Sequence, residues 1–142
     1  MVKMKWIVAI VCIFAFTSSL VVVNANLEVV EDERLVISPQ MLYISTIRSS
    51  IHMEDGVVTI ICSLRGYRNI TDRVRISSYL QQRIGGRWTT IRHFTETFNS
   101  HSGTMFKTHI VEQGDSYRTK TFFYAYNGHN VESQVIISNT AQ

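Results

Sequence analysis

Five histidines, one cysteine in the body of the chain and scattered carboxylates are the residues whose types could do chemistry here. His52, His93, His101, His109 and His129 lie 41, 8, 8 and 20 residues apart. Zinc sites take ligands at close, characteristic spacing. No carboxylate pattern joins His93, His101 and His109, so they read as isolated surface histidines, and no metal or cofactor is expected. A Ser-His-Asp site is geometric rather than sequential, yet the chain has no G-x-S-x-G elbow. Glu96, Glu112 and Asp115 fall in or beside expected loops, and Glu132 opens an expected strand, which is a poor layout for the paired carboxylates of glycoside hydrolysis. Cys62 sits in VVTIICSL (57–64), among residues of a core, and reads as a small buried hydrophobe. Neither a phosphate loop nor a dinucleotide fingerprint occurs, and Asn69-Ile70-Thr71 matches a glycosylation sequon.

The remaining chemistry is that of surfaces. In SYRTKTFFYAY (116–126) a two-residue period places Tyr117, Thr119, Thr121, Phe123 and Ala125 on one face. Arg118, Lys120, Phe122, Tyr124 and Tyr126 share the other. In RVRISSYLQQR (73–83) the outward residues are Arg73, Arg75, Ser77, Tyr79 and Gln81. Aromatic faces stack on sugar rings or anchor a protein partner; they also stabilise sheets by pairing across strands. Arg73, Arg75, Arg83, Arg87 and Arg92 gather around one hairpin, where they meet a polyanion or keep sheet edges from pairing. The binding candidates are Tyr79, Phe122, Tyr124, Tyr126, Arg73, Arg75 and Arg87.

The elements that must position these residues are strands. Short runs rich in β-branched and aromatic residues recur between Gly, Asn, Asp and Ser turn signals. The spacing predicts strands over 41–49, 57–65, 73–83, 87–94, 104–112, 116–126 and 131–138, with 66–72 and 97–103 as loops. Gly85-Gly86 supplies the positive φ angles of a tight hairpin turn. No helical period competes. Seven such strands predict an all-β, immunoglobulin-like antiparallel sandwich. Its expected core is Val58, Ile60, Leu64, Val74, Ile76, Leu80, Trp88, Phe123 and Val135. Tyr117 follows Gly114-Asp115, the place of a tyrosine corner in such sandwiches.

The N-terminus reads as an address. Lys3 and Lys5 precede an apolar run over 6–23, which ends at Val23-Asn24-Ala25 with compact residues at the −3 and −1 positions. This is the layout of a cleaved secretory signal, 1–25, with an uncleaved anchor as the alternative. Residues 26–40 read as a loosely ordered acidic leader, and 41–139 as the domain. Cleavage leaves 117 residues with 12 Lys and Arg against 11 Asp and Glu. That near balance removes the compositional case for nucleic acid. It also leaves Cys62 unpaired.

In order along the chain stand Gly66-Tyr67, Leu80-Gln81 before a Gly pair and Trp88, Gly114 with Tyr117-Arg118, and Tyr126 with Glu132. This arrangement, over about 43–138, resembles a family of small secreted proteins of Gram-positive bacteria with no assigned activity. The resemblance implies an immunoglobulin-like sandwich and secretion, and says nothing of a ligand. Members are often richer in Ser and Lys on their exposed faces; this chain prefers Arg. The sequence-level expectation is a secreted or surface-associated, non-catalytic module. Its partner is a glycan, wall polymer or protein, not nucleic acid, and it makes no stable membrane insertion once the signal is cleaved. The alternatives are a small extracellular hydrolase and a structural protein that self-associates through a sheet edge.

Overall fold

The computed structural model describes residues 34–36 and 41–142; the expected signal peptide, 1–25, and most of the expected acidic leader, 26–40, lie outside the described residues. Among the described residues every regular element is a strand: β1 (Arg34–Val36), β2 (Ile44–Glu54), β3 (Val57–Gly66), β4 (Arg73–Ile84), β5 (Arg87–Phe98), β6 (Ser102–Ile110), β7 (Tyr117–Asn127) and β8 (Asn130–Ile137). They form two antiparallel sheets, ordered β1-β2-β3-β6 and β5-β4-β7-β8. The short β1, inside the expected leader, pairs Arg34–Val36 with Ser49–Ile47 of β2.

Alternation decides what is buried. Val58, Ile60, Cys62 and Leu64 of β3 face Val74, Ile76 and Leu80 of β4 and Phe123 of β7, with Ile44, Ile47, Ile51 and Met105 completing the core. Cys62 is free and fully buried. At the centre of this apolar interior lies a polar seam. The Ser49 hydroxyl bonds Thr119 and Thr121 at 3.1 and 3.0 Å, and Ser78 bonds Thr121 at 2.8 Å. Cys62 Sγ touches Ser49 and Thr121 at 3.5 Å. All of these residues are shielded from water, so their hydroxyls satisfy one another. The seam joins β2 and β3 to β4 and β7, and an apolar contact would not fix their relative register so tightly.

Two further contacts tie the sheets at their ends. The Glu132 carboxylate on β8 accepts from the backbone amides of Leu42, Tyr43 and Ile44 at 3.0, 2.7 and 2.8 Å, which anchors the start of β2. The Asn139 side chain accepts from Ile51 N and donates to Ile51 O, so one amide group acts as a strand neighbour for β2. The Tyr117 hydroxyl donates to Glu112 O at 2.9 Å, across the connection into β7.

Several expectations are corrected. The first long strand runs to Glu54 rather than stopping at 49, because the alternation continues to the Asp55-Gly56 turn. Residues 97–103 are mostly strand: β5 ends at Phe98 and β6 starts at Ser102. Gly103 allows this close turn, since a Cβ there would enter the Phe98 ring. Trp88 is not in the core. Arg92 pairs with Leu80 but Thr90 pairs with Gln81, so Ile91 is an extra residue in β5. That bulge inverts the alternation, turning Phe94 and Phe98 inward and Trp88 outward. Val135 is also on the outside, 50% exposed, because it pairs with outward Phe122 while Ile136 pairs with inward Thr121.

Candidate functional site

The outer face of the β5-β4-β7-β8 sheet collects six of the seven candidate residues. Register explains how. Arg73 lies opposite Tyr126, Arg75 opposite Tyr124, Ser77 opposite Phe122 and Tyr79 opposite Lys120. On the other side of β4, Tyr79 lies opposite His93. Three of these pairs are in face-to-face contact. The Arg73 and Arg75 guanidinium carbons sit 4.2 and 4.4 Å from the Tyr126 and Tyr124 ring centroids. Tyr79 stacks on His93 at 4.2 Å with 12° between planes, and meets Phe122 edge-on at 5.8 Å. Lys120 lies 5.5 Å from the Phe122 centroid.

The seventh candidate, Arg87, is elsewhere. It pairs with Ile84 at the exposed hairpin tip, on the opposite side from Trp88. Gly85 and Gly86, with φ of 56° and 78°, make that tip a two-residue turn. The arginine cluster expected on the hairpin therefore divides. Arg73, Arg75 and Arg83 alternate outward with the face, whereas Arg92 lies over Phe94, 5.9 Å from its centroid.

Trp88 extends the site beyond what the strand pattern indicated, beside Arg118, which that pattern already places on this face. Arg118 donates from Nε to Gln81 Oε1 at 3.0 Å and places its guanidinium 4.3 Å from the Trp88 centroid. Burial lowers its pKa from the ordinary guanidinium value. The bulge at Ile91 brings Trp88 to this face, and an alternation count that runs straight through β5 misses it.

Charge on this face has one sign. Arg73, Arg75, Arg83, Arg118 and Lys120 stand among Tyr79, Phe122, Tyr124, Tyr126 and Trp88, and the outward positions on β5 and β8 are Thr, Ser, His, Val and Ile. Among the described residues no carboxylate points outward here. The acidic groups near it serve other purposes: Glu132 anchors β2, Glu96 pairs with Lys107, Asp115 accepts from Gln82, and Asp72 accepts from Gly128 N. The neighbouring edge strand adds exposed Val131, Val135 and Ile137.

No family model matches this chain, nor does any curated protein or solved structure.

The face also contains an arrangement with the form of a nucleophile and base. Ser77 Oγ lies 2.7 Å from His93 Nε2. Thr95 Oγ1 reaches the same nitrogen at 3.0 Å, so two hydroxyls share it. Among the described residues no carboxylate orients the ring, and Ser77 is only 8% exposed on a flat strand face. The triad logic of a base held by a third group is unmet. His93, His101 and His109 do not converge: His93 stacks on Tyr79, His109 meets Phe94 edge-on, and His101 lines a depression at the other sheet. No group of three or more metal-ligand side chains occurs among the described residues. Two adjoining surface depressions of about 430 and 490 Å³ share Arg65 and Ser102 and lie on the β2-β3-β6 side; neither is lined by a carboxylate.

Proposed function

We propose that this protein is a secreted, non-catalytic, immunoglobulin-like β-sandwich that binds a partner at the cell envelope or outside the cell. The partner docks on the outer face of β5-β4-β7-β8. The observation that carries this reading is a contiguous set of partly exposed aromatic and cationic side chains on one sheet face, with no carboxylate among them. A solvated face needs neither the aromatic area nor the single sign of charge. The Tyr117 hydroxyl bond to Glu112 O supports the immunoglobulin-like assignment, because a tyrosine corner bonds backbone a few residues upstream. The signal-like 1–25 and the resemblance to small secreted Gram-positive proteins support secretion.

The test is the double substitution Tyr124→Ala with Tyr126→Ala. Both rings are outward, so the variant folds with a nearly unchanged melting temperature and loses retention on isolated cell envelopes. Retention equal to the parent protein's rejects this face as the site. Collapse of the fold rejects its description as a surface.

A further inference from the structure

Resting on that reading, we infer that the ligand is a linear, open-chain phosphate polymer, held by guanidinium and ammonium groups rather than by ring stacking. The geometry of the rings is the reason. Tyr126, Tyr124 and Tyr79 touch residues that are their direct partners on neighbouring strands, at centroid distances of 4.2–4.4 Å. Strands lie side by side about 4.8 Å apart. A ring stacked on such a neighbour has its normal in the sheet plane, so it stands upright and shows its edge to solvent. A sugar or a nucleobase needs a ring lying flat and uncovered. Here each contacting ring face is already occupied, by Arg73, Arg75 or His93.

What the face offers outward is a set of N–H donors. Stacking steers the arginines without neutralising them, and planar guanidinium groups bind phosphate oxygens in pairs. The cations fall into two groups along β4 and β7. Arg73 and Arg75 hold one end; Lys120, Arg118 and Arg83 hold the other. The four-residue step from Arg75 to Tyr79, whose partner is Lys120, separates them by about 13 Å at strand rise. Single small anions do not span that interval; a chain of phosphates does. Ser77, Thr95 and Thr97 lie between and beside the groups and suit a hydroxyl- or oxygen-rich repeat. An open-chain polymer loses nothing from the missing ring platform, unlike a pyranose polymer or a single-stranded nucleic acid.

The experiment uses protein produced from the full 142-residue chain and long-chain inorganic polyphosphate as the probe. Polygalacturonate, poly-dT and a neutral glucan serve as comparators, all titrated at low and high salt. Polyphosphate is expected to bind most tightly per charge, with affinity falling as salt rises; the glucan is expected not to bind. Arg75→Gln and Lys120→Gln each weaken polyphosphate binding roughly tenfold. The pair Arg65→Gln with Arg68→Gln, on the other side of the protein, leaves it unchanged. Equal weakening by that remote pair means attraction to the whole protein and overturns the inference. Tighter binding of poly-dT, polygalacturonate or the glucan overturns it too, as does an absence of polyphosphate binding. If these fail while envelope retention still depends on Tyr124 and Tyr126, the ligand class is wrong and the site stands.

Discussion

Arg75 keeps an Nε–H that is buried without an acceptor, while its guanidinium lies on Tyr124. An orphaned buried donor costs about 1–3 kcal/mol, so stability alone does not favour arginine here. Arg75→Met keeps an unbranched stem against Tyr124 and removes both the charge and the orphan. The expected outcome is a melting temperature equal to or above the parent's together with weaker ligand binding; a large drop in melting temperature would show that Arg75 is there for the fold. Two buried protonated groups bear on stability at alkaline pH. Burial pushes the Cys62 thiol above its ordinary 9.0 and, with help from the Asp115 charge, the Tyr117 phenol above 10.0. Because folding raises both values, the folded state holds these protons more tightly than the unfolded chain does. Their contribution is complete below the unfolded values and is lost as pH rises through the folded ones. Urea unfolding should therefore show stability declining above about pH 9, by up to about 1.4 kcal/mol per pH unit for each group. Tyr117→Phe should cost about 1 kcal/mol at pH 7 and flatten the upper part of that decline. An unchanged slope in the variant would mean other groups control it.

At the scale of elements, the faces of β3, β4 and β7 were legible because each carries an unbroken two-residue period. Val58, Ile60, Leu64, Val74, Ile76, Leu80 and Phe123 are all buried as that period requires. β5 and β8 were misread for distinct physical reasons. An inserted residue has no compositional mark, so the bulge at Ile91 hid the outward turn of Trp88. The run Val135-Ile136-Ile137 offers two phases, and only pairing with β7 selects Ile136 for the interior. The polar seam was invisible as well, since Ser and Thr at inward positions show partners only after the sheets meet. Thr121 is its hub, bonded to Ser49 and Ser78. Thr121→Val keeps the shape and strands those hydroxyls, and should cost about 1–3 kcal/mol in chemical unfolding; a neutral result would mean that Thr119 and Cys62 absorb the loss. Glu132 is the comparable end contact. Its carboxylate serves three backbone amides, so Glu132→Ala should cost about 2–3 kcal/mol and speed amide exchange at Tyr43 and Ile44 before other sites.

For the whole molecule, the sequence indicated the class of object but not how charge is distributed. Near balance between basic and acidic residues removed the compositional case for nucleic acid and left a polyanion as one of two readings of the hairpin arginines. Among the described residues folding separates the two signs: the carboxylates lie at turns, edges and internal contacts, and the charged side chains on one sheet face are all cationic. Six of the seven site candidates share a face because β4 and β7 are neighbours, a pairing that sequence order does not reveal. The opposite sheet differs in kind. Phe106 and Ile110 on edge strand β6 are 59% and 82% exposed beside Ile61 and Val57, so the two outer faces are not interchangeable.

The most direct measurement is co-sedimentation of the protein with isolated Gram-positive cell envelopes, comparing the parent chain with the Tyr124→Ala, Tyr126→Ala variant after confirming equal melting temperatures. Saturable sedimentation of the parent and its loss in the variant are the results expected of a binding face on β5-β4-β7-β8. Equal sedimentation of the two folded proteins, or none by the parent, contradicts it.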